Sequence, residues 1–208
     1  MRIDFLSDRP DRAGRYTVKF DDGTSMRLYR QTVEDFGLCT GKEFTQQELA
    51  DLRGSSGRMS AKMRAVRIVA ASSVSRRDLE QRLVRKGEDP QQAREAVEWM
   101  QDLRLVDDRQ TAADIVSRCS ARGYGKARAK QMLYEKQIPR ELWEEALSDY
   151  PEQTDKIIQF LHSRLGPHYD EKDERKAIDA LLRRGHSYGA ISRALAAIGE
   201  DSEIYPED

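Results

Sequence analysis

Ten basic side chains stand in two short clusters: Arg76, Arg77, Arg82, Arg85 and Lys86, then Arg122, Lys126, Arg128, Lys130 and Lys136. A guanidinium fork pairs with a carboxylate or a phosphate through parallel N–H bonds, and a lysine adds a compact charge. These residues therefore suit recognition of an acidic protein surface or of nucleic-acid phosphate. They do not by themselves make or break bonds. Other reactive residue types are sparse. Asp107-Asp108 precedes a helical stretch, where an acidic pair is a good N-cap and dipole partner rather than an acid–base couple. Cys39 and Cys119 are 80 positions apart without a CxxC spacing. His162, His168 and His186 share no ligand spacing with each other or with the cysteines. No metal, cofactor or disulfide is expected from such a set. Walker, GxGxxG, GxSxG and HExxH sequences are all missing, which weighs against an enzyme.

The elements that would carry the cations repeat. Gly87, Gln137 and Gly185 are separated by 50 and 48 residues. Four positions before them stand Leu83, Leu133 and Leu181. Twelve positions before stand Ser75, Gly125 and Asp173, each acceptable as a helix N-cap. After each reference point comes one apolar stripe with helical spacing. Its members are Ala93, Ala96, Val97 and Met100; Trp143, Ala146, Leu147 and Tyr150; and Ile191, Ala194, Leu195 and Ile198. Asp89 and Ser187 sit where caps for these helices are wanted, with Pro90 at a first helical position and Pro139 matching Asp89. A further periodic helix opens each unit, through Ala65, Ile68 and Val69; Ala112, Ile115 and Val116; and Ile157, Phe160 and Leu161. The expected fold is mainly α: an elongated array of three tandem three-helix repeats. The expected boundaries are 58–107, 108–152 and 153–199, with an acidic tail at 200–208. Trp99 and Trp143 read as packing residues rather than base-stacking platforms.

Residues 1–57 form a separate segment with a small β-hairpin. Tyr16, Val18 and Phe20 alternate with polar residues, Asp21-Asp22-Gly23-Thr24 supplies a turn, and Met26 and Leu28 continue the alternation. Ile3 and Phe5 are candidates for a third strand. Thr45-x-x-Glu48 resembles a capping box, and Gly54-Ser-Ser-Gly57 reads as a linker.

Composition agrees with a thin, helical chain. Of 208 residues, 35% are charged and 38% belong to the hydrophobic set, with a mean hydropathy of −0.80. No stretch approaches the ~18 apolar residues of a membrane span. The first ten residues lack the apolar core of a secretion signal, so a cytoplasmic location is expected. The 36 basic and 37 acidic residues nearly cancel, yet they are sorted along the chain. Residues 58–86 and 118–140 are basic, whereas 88–114 and 141–155 are acidic. Two readings stand: mutually attracting solvated faces, or a recognition surface that recurs in register with the repeats.

Three stretches also resemble a known family. They are Ser75-Arg-Arg-Asp-Leu-Glu-Gln-Arg-Leu-Val-Arg-Lys-Gly87, Leu103-Arg-Leu-Val-Asp-Asp108 and Gly125-Lys-Ala-Arg-Ala-Lys-Gln-Met-Leu-Tyr-Glu-Lys-Gln-Ile138. In order and spacing they are similar to RecX, the bacterial regulatory family that modulates the RecA recombinase. The sequence departs from that pattern at Gln137, where the family usually has glycine, and at Arg109-Gln-Thr-Ala-Ala113. The resemblance implies curved arrays of three-helix repeats that are not enzymes. It implies binding to the RecA filament on single-stranded DNA, limiting its extension, ATPase and strand exchange in recombination, repair and the SOS response. On this reading the protein is a monomer whose ten named cations face the filament or DNA phosphate. The alternative is a helical-repeat protein that binds DNA non-specifically. Sequence-specific reading by the third helices is disfavoured, because Glu95, Glu98, Asp102, Glu141, Glu144, Glu145 and Asp149 make them acidic.

Overall fold

The structure is a computed structural model that describes residues 1–166 and 169–204. His168 and the last four residues of the expected acidic tail lie outside this range. The chain divides into two compact units, Met1–Val106 and Asp107–Asp208.

The first unit opens with an antiparallel sheet, β1 (Ile3–Leu6), β2 (Arg15–Phe20) and β3 (Ser25–Tyr29), in that spatial order. The turn forms at Gly23, whose φ of 81° is left-handed, while Asp22 Oδ1 accepts from the Thr24 amide at 2.9 Å. Ile3 and Phe5 do not share a face. The register shifts between them, so Ile3 opposes Phe20 inside and Phe5 opposes Lys19 outside. After the short helix α1 (Arg30–Asp35), α2 (Gln46–Ala71) runs for 26 residues. The Thr45–Glu48 capping box starts it, with Glu48 N to Thr45 Oγ1 at 3.2 Å and Thr45 N to Glu48 Oε2 at 2.8 Å.

Gly54-Ser-Ser-Gly57 is therefore no linker; it lies inside α2. The small residues serve close packing instead. A Cβ on Gly57 would stand 2.2 Å from the Gln92 side chain of α4 (Pro90–Asp102). The first half of α2 buries Leu49 and Leu52 against Ile3, Val18, Phe20 and Leu28 of the sheet. Its second half buries Ala61 and Ala65 against α4 and α3 (Arg76–Arg85), which contribute Leu79, Leu83, Ala93, Ala96 and Met100. One long helix thus joins the sheet to the helical layer, which answers the marginal stability of a lone hairpin.

The second unit holds two helical clusters. In the first, α5 (Asp108–Ala121) and α6 (Lys126–Glu135) precede a 3-10 turn (Arg140–Leu142) and the one-turn α7 (Trp143–Ala146). The full-length helix expected after Pro139 is thus only a turn of each kind. Its apolar residues still meet the core, where Leu147 is buried and Trp143 Nε1 donates to Ile138 O at 3.0 Å. The second cluster comprises α8 (Thr154–Arg164), α9 (Glu171–Arg183) and α10 (Tyr188–Ile204). Asp173 does not cap α9. Asp170 does, accepting from the Asp173 amide at 2.8 Å, so α9 starts a turn earlier than its counterparts α3 and α6. Residues 200–204, expected in the tail, belong to α10.

Two glycines join these clusters. The amides of Gly125 and Ala127, at the start of α6, donate to the carbonyls of Arg184 and Gly185 after α9, at 2.9 and 3.2 Å. The carbonyl end of one helix thereby satisfies orphan amides of another. An added Cβ at Gly125 would lie 1.9 Å from Gly185 O, and one at Gly185 would lie 2.3 Å from Arg128 N. Gly125 therefore replaces the hydroxyl cap found at Ser75, because a side chain has no room.

Candidate partner-binding surface

Helix α3 presents the first cationic cluster. Ser75 caps it by accepting from the Asp78 amide at 3.2 Å, and Leu79 and Leu83 fix its buried side. Arg76, Arg77, Arg85 and Lys86 are exposed. Arg82 is committed elsewhere. Its Nε and Nη2 meet the two oxygens of buried Asp78 at 2.9 and 2.8 Å, and Nη1 reaches Ser72 Oγ at 3.4 Å. That fork binds α3 to its own N-terminal loop. Arg77, Glu80, Gln81, Val84 and Arg85 line one shallow groove on the outer side of the helix.

Helix α6 repeats the plan with Ala129 and Leu133 inside. Lys126 and Lys130 are exposed, as is Arg122 at the end of α5. Arg128 is half-buried and stands 3.6 Å from Glu135 Oε1. Lys136 is half-buried at the end of the helix. The ten cations thus sort into an outward set (Arg76, Arg77, Arg85, Lys86, Arg122, Lys126 and Lys130) and an inward set that ties down local structure.

A further set of positions went unassigned by sequence reasoning. Val84, Tyr134 and Leu182 are large apolar side chains exposed by 39, 66 and 42%. Each lies three residues before the reference point of its repeat. The signal was readable: an apolar residue just after the buried leucine, off the stripe, in all three repeats. Each has basic neighbours, Arg85 and Lys86, Lys130, and Arg183 respectively.

The titratable groups in the interior serve packing. Burial pushes the Cys119 thiol up, and its sulfur lies 3.3 Å from Met132 Sδ. Burial also pushes the Tyr150 hydroxyl up to about 12, and this hydroxyl donates to Tyr124 O at 2.7 Å. His186 Nε2 contacts Gly123 O at 3.1 Å, and burial lowers the imidazole pKa. Asp107 is the N-cap of α5, its Oδ1 accepting from the amides of Arg109 and Gln110 at 2.8 and 3.3 Å. Among the described residues no group of three or more His, Cys, Asp or Glu is placed to hold a metal ion. None of the described helices is long and apolar enough to cross a membrane.

Comparison with known proteins adds a family to this geometry. Residues 107–147 match the family model described as RecX, second three-helix domain. The regulatory protein RecX of Clostridioides difficile is 25% identical over 187 residues, covering 87% of this chain and 88% of the relative. RecX of Halorhodospira halophila is 29% identical over 147 residues, covering 68% of this chain and 90% of the relative. A crystal structure of a regulatory protein RecX superposes with a TM-score of 0.66 at 18% identity, over 94% of this chain and 98% of the other. RecX from Lactobacillus salivarius gives 0.61 at 20% identity, over 73% and 99%. Both superpositions support the mainly helical fold, the first over nearly the whole chain. Relatives matched along most of their length carry one name and the family model falls on α5–α7, so the chain is similar to the RecX family of regulatory proteins along most of its length.

Proposed function

We propose that this protein binds the RecA filament on single-stranded DNA in the bacterial cytoplasm. There it restrains filament extension, ATP hydrolysis and strand exchange without catalysing a reaction itself, and so modulates recombination and DNA repair. One observation carries the reading beyond the family name. The middle helices α3 and α6 turn cations outward, and an exposed apolar residue recurs at one repeat position, Val84, Tyr134 and Leu182. A partner that itself repeats can meet such points in series, and modest contacts then add through effective concentration. The protein acts as a monomer, each repeat offering its own contact.

The test is ATP hydrolysis by RecA on single-stranded DNA, with and without this protein. Addition should inhibit hydrolysis. Reversing Arg77, Arg85, Lys126 and Lys130 to glutamate should weaken inhibition by roughly tenfold or more, since rim charges set encounter and register. A folded quadruple variant that inhibits as well as the parent would refute the cationic surface. Absence of inhibition by the parent would refute the RecA reading.

Direct contact with DNA is the second reading, favoured by the same exposed cations. The acidic residues Glu95, Glu98 and Asp102 on α4 repel phosphate, so such contact would run through α3 and α6 and be non-specific. It requires affinity for bare DNA that falls steeply with salt.

A further inference from the structure

A second cationic feature lies in the unit that begins at Asp107. A cleft of about 380 Å³ opens between the end of α5, the outer side of α8 and the end of α9. Arg122, Lys156 and Arg184 line it beside Gln159, Phe160 and Ser163, and the lining contains no carboxylate. In a chain with as many acids as bases this is a marked local excess. Among the described residues, none of the three cations has an acidic side chain at ion-pair distance.

The cations are also held in place. The Arg184 guanidinium carbon sits 5.1 Å from the Phe160 ring centre and 5.7 Å from that of Tyr124. Held by cation–π contacts to both rings, it has less rotamer freedom left to lose on binding. The Lys156 stem packs on Gly123, where an added Cβ would lie 3.2 Å away. Carbonyls that would repel an anion are already engaged. Gly123 O meets His186 Nε2, and Arg184 O accepts from the Gly125 amide.

We propose that this cleft binds the phosphate of a nucleotide. Three cations match the ~1.5–2 negative charges of a phosphomonoester at pH 7. The volume lies within the ~300–1,000 Å³ of small-molecule sites and exceeds what a bare ion needs. Phe160 and Arg184, which both line the cleft, add an aromatic ring and a guanidinium plane of the kinds on which bases rest. The same chemistry is offered by a free nucleotide and by a nucleotide within a single strand. The inference does not rest on the RecA reading, although Arg122 belongs to both cationic sets.

The test uses the full chain alone, without RecA. Amide chemical shifts are followed by nuclear magnetic resonance during titration with AMP, inorganic phosphate and a short oligothymidylate. AMP should shift amides around 121–123, 156–163 and 184–186, and bind at least about tenfold more tightly than inorganic phosphate. The exposed pair Arg122→Glu and Lys156→Glu should weaken AMP by about tenfold or more, whereas Lys172→Glu, outside the cleft, should not. Oligothymidylate shifting the same amides more tightly than AMP identifies a strand as the source; the reverse order identifies a free nucleotide. The proposal is overturned if AMP leaves these amides unmoved at millimolar concentration. It is also overturned if phosphate binds as tightly as AMP, or if the double variant binds unchanged.

Discussion

Gly87 and Gly185 occupy the same place in their repeats and live in different surroundings. Both follow a middle helix, with φ of 90° and 86°. Both close that helix in the same way. The glycine amide donates to the carbonyl three residues back, and the next amide donates to the carbonyl five back: Glu88 to Leu83 and His186 to Leu181, at 3.1 and 3.2 Å. Beyond the backbone the likeness stops. An added Cβ on Gly87 would meet nothing within 4 Å, whereas on Gly185 it would strike Arg128. The following residue differs too. Glu88 is pinned to α2 by Arg64 at 2.7 Å and Ser60 at 3.0 Å, while His186 is pinned to Gly123 O. Backbone conformation repeats because it is encoded locally. Crowding does not repeat, because it depends on which helix arrives next.

The comparison breaks most visibly at the crowded junction. Gly125→Ala places a methyl group against the Gly185 carbonyl, and Gly185→Ala adds left-handed strain to a clash with backbone. Neither obstacle is a flexible side-chain end. Each substitution should cost roughly 3 kcal/mol or more in urea denaturation, in the range of severe overpacking. A loss below about 1 kcal/mol for Gly125→Ala would mean that the two helix ends do not meet.

Protonation probes the same junction more gently. Burial lowers the His186 pKa, and the Arg184 charge lowers it further, against the raising effect of the Gly123 hydrogen bond. The unfolded chain, with a histidine pKa near ~6.5, then binds more protons than the native one below that pH. The His186 contribution is therefore intact above about 6.5 and shrinks as pH falls toward the lowered native value. Between pH 7 and 5.5 the loss is at most about 1.4 kcal/mol. Urea midpoints of the parent should fall over this window, and those of His186→Gln should fall less. An equal fall in both would assign the pH dependence to other groups.

Much of this fold was written locally. The leucines at 83, 133 and 181 are all buried, as the repeat spacing implied, and Asp89-Pro90 and Asp107 start helices where expected. The misreadings share a cause. Gly54 to Gly57 has a linker's composition, but α4 packs across it and holds it helical. The apolar pattern after Pro139 is helical in period, yet the chain there makes only single turns. Site residues followed the same rule. The sequence named Arg77 and Lys130 in one set with Arg82; the structure exposes the first two, whereas an aspartate four residues earlier has claimed Arg82.

The open glycine supplies the control. Gly87→Ala should cost only the left-handed penalty, about 1 kcal/mol, since no atom obstructs the new methyl. A loss as large as that of Gly185→Ala would show that backbone strain, not crowding, dominates both sites.

Gln137 is the third equivalent position and completes the comparison from the opposite direction. It adopts a φ of 55° without being glycine, and its helix closes by the same two bonds, Gln137 to Tyr134 at 2.9 Å and Ile138 to Leu133 at 3.0 Å. A non-glycine residue there bears roughly 1–2 kcal/mol of strain. Glycine removes it, but gives the unfolded chain extra freedom at a cost of about 0.5–1 kcal/mol. Gln137→Gly should therefore stabilise the protein by about 0.5 kcal/mol, seen as a small rise in the urea midpoint at unchanged slope. A decrease would mean that contacts of the Gln137 side chain outweigh the strain, and that this repeat has exchanged the backbone solution of its neighbours for a side-chain one.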